Sequence, residues 1–270
     1  MNPNQALWEK GDFTEVAGFM RQSGESFAQS LGVKPNSRVL DLACGDGNTA
    51  LPIAKLGANV TGIDIARNLV EAGIKRAASA RLSNVTFQHG DACNLTGVPD
   101  NTFDFAISIF GAMFAPKPFD VAKELVRVTK PGGKIVMGNW IPGDPTFVSQ
   151  ILKISSAFTP PPPEGFISPM MWGVEAHIID RFAEAGIPTG RISLMKDTFN
   201  FVSPDSTPTQ FIEVMERFYG PTMNAVAAAE QNGKAQDLHR QLVALAESQN
   251  TSRNGGINIP ATFMRVTVSR

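Results

Sequence analysis

Short apolar runs alternate with amphipathic stretches through the first half of the chain. The apolar runs have the length and composition of buried strands and lie at 38–43, 59–63, 85–89, 103–109 and 134–139. The stretches between them have helical spacing and lie at 48–56, 66–81 and 118–128. Because strand and helix alternate with short connections, this pattern predicts an α/β fold with a doubly wound parallel sheet and helices on both faces.

The two ends of the chain follow a different pattern. Residues 1–34 are polar with spaced apolar positions, which predicts an N-terminal helical cap. Beyond Trp140 the alternation loosens. Further helices are predicted at about 147–157, 175–185, 209–219 and 222–248, and strand-like segments at 191–201 and 261–268. With 270 residues and no internal repeat, the chain is interpreted as a single domain, 1–270.

Composition and charge exclude several classes of function. The chain is 43% hydrophobic and 18% charged with a net charge of −1, so general binding to a nucleic-acid backbone is not expected. Two cysteines suggest neither a disulfide framework nor a zinc cluster, and no metal is expected. The N-terminus lacks the regions of a signal peptide, and the apolar run at 105–115 is too short to span a bilayer. We therefore expect a cytoplasmic enzyme.

A glycine turn with an acid beside it follows the first predicted strand. Residues 39–47 read Val-Leu-Asp-Leu-Ala-Cys-Gly-Asp-Gly, so Asp41 precedes Gly45 and Gly47. Glycines at this position let the backbone approach a ligand closely. A carboxylate there should repel a pyrophosphate and favour a cation, such as the ammonium and sulfonium of S-adenosylmethionine (SAM). The same turn, extended to Ala50, also fits the dinucleotide pattern, so both cofactors remain open at this point.

Asp64, at the end of the second predicted strand, is the next acid in a comparable position. From there a carboxylate can accept hydrogen bonds from both hydroxyls of a ribose. It can equally cap the N-terminus of the helix predicted at 66–81.

Three further motifs separate the cofactor alternatives. They are Gly90-Asp91-Ala92, Thr102-Phe103-Asp104-Phe105-Ala106, and Glu124-Leu125-x-Arg127-Val128 followed by Lys130-Pro131-Gly132-Gly133. Together with the glycine turn they resemble a class I SAM-dependent methyltransferase, and more narrowly the ubiquinone/menaquinone C-methyltransferases. The resemblance is strong over about residues 36–140 and slight after 141.

The resemblance implies an architecture. It implies a seven-stranded sheet whose last strand is antiparallel, with 191–201 and 261–268 as its final two strands. Residues 36–140 would form the SAM-binding core. Helical insertions after the fifth and sixth strands, at 141–190 and 205–250, would act as a lid or substrate-side element. The second insertion could also mediate a homodimer.

The resemblance also implies cofactor contacts. Asp41 would lie near the ammonium group, Asp64 would bind ribose, Ile65 would pack on adenine, and Asp91 would meet the adenine amino group. The full implied set is Asp41, Ala43, Gly45, Gly47, Asn48, Asp64, Ile65, Asp91, Ala92, Ile109 and Phe110. In similar proteins a Trp-x-x-Gly-Asp-aromatic segment covers SAM. Here that segment contains Trp8 and Phe13, which could equally belong to a helix that simply packs on the sheet.

Bulky apolar residues suggest a pocket for a small apolar or aromatic methyl acceptor. The candidates are Met113, Phe114, Trp140, Met170 and Trp172. The segment 160–173 could be a lid over the acceptor or a rigid connection between helices. Methyl transfer needs a base only where the acceptor must lose a proton, and His177 is the candidate, with a solvated helix histidine as the alternative.

Three functions therefore remain at the level of sequence. The first is a SAM-dependent methyltransferase acting on a small-molecule acceptor by in-line displacement. The second is a non-catalytic SAM or nucleotide binder, because no base is assured. The third is an NAD-dependent oxidoreductase, which only the glycine pattern supports.

Overall fold

A seven-stranded mixed sheet forms the centre of the molecule in the computed structural model, which describes residues 5–270. The strands are β1 (Arg38–Leu42), β2 (Asn59–Asp64), β3 (Val85–His89), β4 (Phe103–Ile109), β5 (Thr129–Trp140), β6 (Ile192–Ser203) and β7 (Ile257–Ser269). Their order is β3-β2-β1-β4-β5-β7-β6, and β7 runs antiparallel to both β5 and β6. The doubly wound sheet and its antiparallel last strand are as the sequence predicts.

Eleven α-helices among residues 5–270 pack around the sheet. They are α1 (Gln5–Lys10), α2 (Phe13–Gly18), α3 (Arg21–Ser30), α4 (Ala50–Lys55), α5 (Arg67–Ser79), α6 (Pro118–Val128), α7 (Phe147–Ser156), α8 (Glu175–Glu184), α9 (Pro208–Phe218), α10 (Gly220–Gln231) and α11 (Ala235–Gln249). The predicted cap at 1–34 thus contains three helices, and its first four residues lie outside the described part. None of the described helices is long and apolar enough to cross a bilayer.

Two elements differ from the sequence-based prediction. The glycines of Pro131-Gly132-Gly133 lie inside β5, where an irregularity lets Phe103 pair with Thr129 and Phe105 with Lys134. The extra residues of this bulge leave the pairing with β4 but stay hydrogen-bonded at the end of β7, where Gly132 donates to the carbonyl of Arg270 at 2.6 Å and Gly133 accepts from its amide at 3.0 Å. The helix predicted at 222–248 is two helices, because Gly233 adopts a φ of +65° after α10. A glycine in this conformation typically ends a helix.

Phe87 of β3 packs in a space that three glycines leave open. A Cβ atom built on Gly47, Gly62 or Gly73 would lie 2.7, 2.8 or 2.7 Å from a carbon of the Phe87 ring. These glycines belong to the loop after β1, to β2 and to α5. The aromatic ring therefore joins β3 to the glycine turn, and a methyl group at any of the three positions would force it to move.

The sheet order reverses between β1 and β4, which are neighbours in the sheet. Ligands of open α/β sheets bind beyond the carboxyl ends of the strands at such a switch point. The loops after β1 and β4 approach closely here, because a Cβ atom on Gly111 would lie 2.3 Å from the carbonyl oxygen of Ala43. The predicted cofactor residues of both loops are thereby brought to the same edge of the sheet.

Candidate functional site

A deep cavity lies at the carboxyl ends of the parallel strands. The smaller part of its wall is polar and comes from β1, the loop after β1 and the end of β2, with the side chains of Asp41, Asp46, Asn48 and Asp64. The larger part is apolar and comes from the segments of β4 to β6, α7 and α9, with Phe110, Trp140, Val148, Phe199, Phe201 and Met215. We call these the polar half and the apolar half. One cavity therefore offers two environments to a ligand or to a pair of ligands.

Asp41 is a buried carboxylate without a counter-charge. Its side chain is 2% exposed, and its Oδ2 atom has no hydrogen-bond partner among residues 5–270. Burial and the neighbouring Asp64 raise the pKa of Asp41 to about 8, although the backbone amide of Ala50 acts in the opposite direction. An unpaired buried carboxyl of this kind destabilises the empty protein. Its environment favours a ligand that brings a positive charge.

The glycine turn after β1 is shaped by residues with positive φ. Ala43, Gly45 and Gly47 have φ values of 55°, 55° and 88°. Gly45 and Gly47 have different surroundings. A Cβ atom on Gly45 would extend into open space and Gly45 lines the cavity, whereas Gly47 packs against Phe87 and does not line it. The predicted cofactor contact therefore has geometric support at Gly45, while Gly47 shapes the loop.

Asp64 accepts two hydrogen bonds from backbone amides. Its Oδ2 lies 2.8 Å from the nitrogen of Gly45, and its Oδ1 lies 2.9 Å from the nitrogen of Ala66. The second bond holds the amide of Ala66, which is itself the N-cap of α5. Asp64 lies two residues before that N-cap and does not bond to the first-turn amides of the helix, so the helix-capping alternative is wrong. Burial raises the pKa of Asp64. Asp64 also lines the cavity, as do Ile65 and Asn48, so ribose binding stays the prediction for this side chain.

Asp46 forms an ion-pair network that the sequence analysis does not predict. Arg21 of α3 approaches it at 2.5 Å and Arg76 of α5 at 3.1 Å, while the Asp46 side chain is 2% exposed. Arg21 also donates to the side chain of Asn48, whose amide donates to the carbonyl of Ala17 at 3.1 Å. The network ties the N-terminal helices to the glycine turn. No local sequence signal indicates it, since its members come from four separate segments.

The N-terminal segment covers part of the cavity. Trp8 and Phe13 both line it, and the Trp8 ring lies 5.2 Å from that of Phe114. Two hydrogen bonds attach this segment to α5: Asn68 donates to the carbonyl of Gly11 at 3.1 Å, and the amide of Arg67 donates to Glu9 at 3.2 Å.

The loop after β3 places one of its two predicted cofactor residues in the cavity wall. Ala92 lines the cavity, whereas Asp91 lies beside it and accepts a hydrogen bond of 2.8 Å from the amide of Cys93. On the β4 side, Ile109 and Phe110 both line the cavity, as predicted. Phe110 stacks on Trp140, with ring centroids 3.7 Å apart and planes 9° apart.

The predicted acceptor residues divide into two groups. Phe114 and Trp140 line the cavity, but Met113, Met170 and Trp172 do not. Met113 is 1% exposed within the core, and Trp172 is 1% exposed with Arg181 stacked 4.5 Å from its ring centroid. The turn that carries Met170 and Trp172 packs against the end of β5, where a Cβ atom on Gly173 would lie 2.1 Å from the carbonyl oxygen of Trp140. Residues 169–173 are therefore packed in place, whereas residues 160–167 are exposed, and the lid and the rigid connection both stay predictions for the segment 160–173.

The histidine predicted as a base is remote from the cavity. His177 is exposed on α8 and is not among the lining residues. His89 does not line the cavity either, and His239 pairs with Glu216 at 3.0 Å on the α9–α11 side. Cys44 does line the cavity, but burial raises the pKa of its thiol well above the usual range, so it stays protonated. Residues 5–270 hold no cluster of three or more His, Cys, Asp or Glu side chains suited to a metal ion.

The apolar half contains residues that the sequence analysis missed. Phe199 and Phe201 alternate on β6, and Met215 and Tyr219 lie one turn apart at the end of α9. The Phe-x-Phe alternation at the end of a predicted strand was a usable signal. Val148, Met215 and Tyr219 had none, because helical periodicity does not tell a cavity wall from a core.

Comparisons with known proteins agree with this architecture. Residues 40–137 match the family described as "Methyltransferase domain". The chain is 34% identical over 249 residues to the uncharacterized protein Rv1405c of Mycobacterium tuberculosis, covering 90% of this chain and 86% of that protein. It is 34% identical over 115 residues to the demethylmenaquinone methyltransferase of a Geobacillus species, covering 42% and 49% of the two chains. The fold resembles that of a Haemonchus contortus phosphoethanolamine N-methyltransferase solved with SAM (TM-score 0.61, 16% identity, 100% and 60% coverage).

The switch-point cavity, the sheet order and these matches define the class. The chain belongs to the class I SAM-dependent methyltransferases. Within that class it resembles the quinone methyltransferases over its SAM-binding core, whereas the match to the mycobacterial protein extends over most of its length.

Proposed function

We propose that this protein transfers the methyl group of SAM to a small, mainly apolar acceptor. The observation that carries the proposal is the unpaired, buried Oδ2 atom of Asp41 in the polar half of a cavity whose remaining wall is apolar. A cationic donor and an apolar acceptor would each find a complementary environment there. The two halves share one space, so both molecules could meet without leaving the protein.

The polar half would hold the donor. Asp41 would accept a charge-assisted hydrogen bond from the ammonium group of SAM, which removes the cost of its unpaired burial. Asp64 would bind the ribose and Ile65 and Ala92 the adenine, with Asp91 near the adenine amino group. Ala43, Gly45 and Asn48 would surround the methionine part, and Trp8 and Phe13 would cover it. An uncompensated acid at this point disfavours the pyrophosphate of a dinucleotide.

The insertions would supply the acceptor side. Val148 lies in the predicted insertion at 141–190, and Met215 and Tyr219 lie in the one at 205–250. With Trp140 and the β6 phenylalanines they enclose an apolar space with no histidine in its wall among residues 5–270.

The chain would contribute alignment and exclusion of water, because bound SAM supplies an already activated methyl group. In an in-line displacement an electron pair of the acceptor forms the new bond to the methyl carbon, and the pair of the breaking C–S bond remains on sulfur. A proton that the acceptor loses would pass to solvent, since His177 lies outside the cavity.

Calorimetry and a transfer assay together test the proposal. Folded protein should bind SAM and S-adenosylhomocysteine, and bind NADH more weakly. Labelled SAM should then methylate at least one member of a panel of phenols, quinols and amines. Failure to bind either adenosyl compound would contradict the proposal. Tight binding without transfer to any panel member would favour the non-catalytic binder.

Cofactor binding should release a proton from Asp41. At about pH 6 this carboxyl is protonated in the empty protein, because its pKa is about 8, and an adjacent ammonium should lower that pKa. We expect about one proton released per SAM bound, and an affinity that increases with pH up to about pH 8. Calorimetry in two buffers of different ionisation enthalpy measures the release. Asp41→Asn should abolish it, and equal enthalpies in both buffers for the unsubstituted protein would argue against this role.

His177→Ala should leave methyl transfer within about twofold of the original rate. The side chain is exposed on α8 and does not reach the cavity, and substitutions at such positions usually have small effects. The comparison variant is Trp140→Ala, which removes a large part of the cavity wall and should lower the rate strongly. A loss of more than about tenfold in kcat for His177→Ala would restore this histidine as a base.

A further inference from the structure

Tyr219 occupies a break between two helices at the edge of the apolar half. It follows α9 and precedes α10, with the extended backbone angles φ −92° and ψ 110°. It is the only tyrosine of the chain. Its side chain lines the cavity and is 5% exposed, with the rings of Trp8 and Phe13 each 6.3 Å from its own. A polar group therefore stands in an otherwise apolar wall.

The hydroxyl of Tyr219 makes no hydrogen bond to any atom of residues 5–270. It is not among the unpaired side-chain atoms that are wholly inaccessible, so a ligand in the cavity can reach it. Most hydroxyls in a protein interior are paired, so an unpaired hydroxyl that borders a cavity is available to hydrogen bond with a ligand. Burial also raises the pKa of Tyr219, so the group is neutral. A neutral hydroxyl can both donate and accept a hydrogen bond.

The other polar side chains of the cavity wall lie in the polar half, which Thr49 of the loop after β1 also lines, and most of them are engaged. Asp64 accepts from two amides, Asp46 pairs with two arginines, and Asn48 bonds to Arg21 and Ala17. Asp41 is the group that the proposed function assigns to the ammonium of SAM. The indole groups of Trp8 and Trp140 can donate but cannot accept. Within the described wall of the apolar half, Tyr219 is the side chain able to accept a hydrogen bond from a ligand.

The charge of the cofactor restricts the acceptor further. An alkyl amine is protonated near neutral pH, and its ammonium would lie in an apolar space beside the cationic sulfonium. Like charges at short distance in such a space repel strongly. A neutral hydroxyl compound avoids this cost and can hydrogen bond to a neutral tyrosine.

We infer that Tyr219 is a specificity-determining residue that binds the hydroxyl group of a phenol-type acceptor with an otherwise apolar body. This inference rests on the proposed function, because it presupposes a methyl donor in the polar half. Trp140, Phe199 and Met215 would surround the apolar body, and Tyr219 would fix its orientation.

Two matched probes, para-ethylphenol and para-ethyltoluene, test the inference. The first carries a hydroxyl group at the ring position where the second carries a methyl group. Their dissociation constants are measured by calorimetry on protein saturated with S-adenosylhomocysteine. Tyr219→Phe should shift the ratio of the two constants by about tenfold against the phenol, as expected for loss of one buried hydrogen bond. S-adenosylhomocysteine affinity should not change. Met215→Leu, which alters the same wall without removing a polar group, should leave the ratio within about twofold.

The outcomes separate the two levels of the account. An unchanged ratio in Tyr219→Phe would overturn the inference, as would failure of both probes to bind protein that does bind S-adenosylhomocysteine. In either case the proposed function stands. Failure of S-adenosylhomocysteine itself to bind would overturn the proposed function and the inference that depends on it.

Discussion

Asp41→Asn should weaken SAM binding by about 100-fold while making the empty protein more stable. The affinity falls because the ammonium group loses a buried charge-assisted hydrogen bond, and 1.4 kcal/mol corresponds to about tenfold. Stability rises because Asp41 has no counter-charge and a pKa raised to about 8 by burial and Asp64. The pKa of this carboxyl is about 4 in the unfolded chain and about 8 in the folded protein. Between these two pH values the carboxyl destabilises the folded protein more and more as the pH rises.

The two effects are measured separately, by calorimetry with SAM and by urea unfolding at several pH values. The free energy of unfolding should exceed that of the original protein by about 2 kcal/mol or more at about pH 8, and the difference should shrink toward about pH 4. Asp205→Asn, an exposed loop position, controls for the loss of one negative charge and should change neither quantity. A variant that binds SAM normally would remove Asp41 from the donor site.

Alanine should affect mainly stability at one glycine of the turn and mainly SAM binding at the other. Gly47→Ala should lower the free energy of unfolding by about 3 kcal/mol or more, because φ is +88° and the new methyl would lie 2.7 Å from the Phe87 ring. In Gly45→Ala the new methyl group would extend into open space. The free energy of unfolding should fall only by the backbone strain at a φ of +55°, about 1–2 kcal/mol. That open space is the cavity, so Gly45→Ala should weaken SAM binding by tenfold or more, on the order of 1.4 kcal/mol.

Denaturant unfolding and SAM calorimetry at low temperature test this contrast. Folded Gly47→Ala should bind SAM within about threefold of the original affinity. Adding Phe87→Leu should recover part of its lost stability, since the smaller side chain relieves the contact. Equal stability losses in the two glycine variants, or no recovery by the second substitution, would contradict the packing described around Phe87.

Most of the sheet could be predicted because its signals are local. β1, β3 and β4 begin at the predicted residues, since each is a short apolar run bounded by polar positions or turns. Asp41, Asp64 and Ile109, which the family resemblance implies as cofactor contacts, all line the cavity because strand ends in a parallel sheet share one edge. The bulge in β5 was missed, because Pro-Gly-Gly is typical of a turn and only the pairing partner decides otherwise.

The residues of the apolar half could not all be predicted from local sequence signals. Phe110, Trp140, Phe199 and Tyr219 line one cavity from four distant segments. For Tyr219, nothing in the local sequence pattern distinguishes a cavity wall from a core. Trp140 and Trp172 illustrate the difficulty. Both are buried tryptophans near apolar residues, yet only Trp140 lines the cavity, because the turn of Trp172 packs against the end of β5. The unpaired hydroxyl of Tyr219 can be identified only from the three-dimensional structure, which shows its neighbours.

A crystal structure with S-adenosylhomocysteine tests the central claim most directly. The account predicts the amino group of the ligand within hydrogen-bond distance of the Asp41 carboxylate and the ribose beside Asp64. It also predicts that the sulfur faces the space between Trp140, Phe199 and Tyr219. A ligand bound away from the carboxyl ends of β1 and β4, or one whose amino group points away from Asp41, would contradict it.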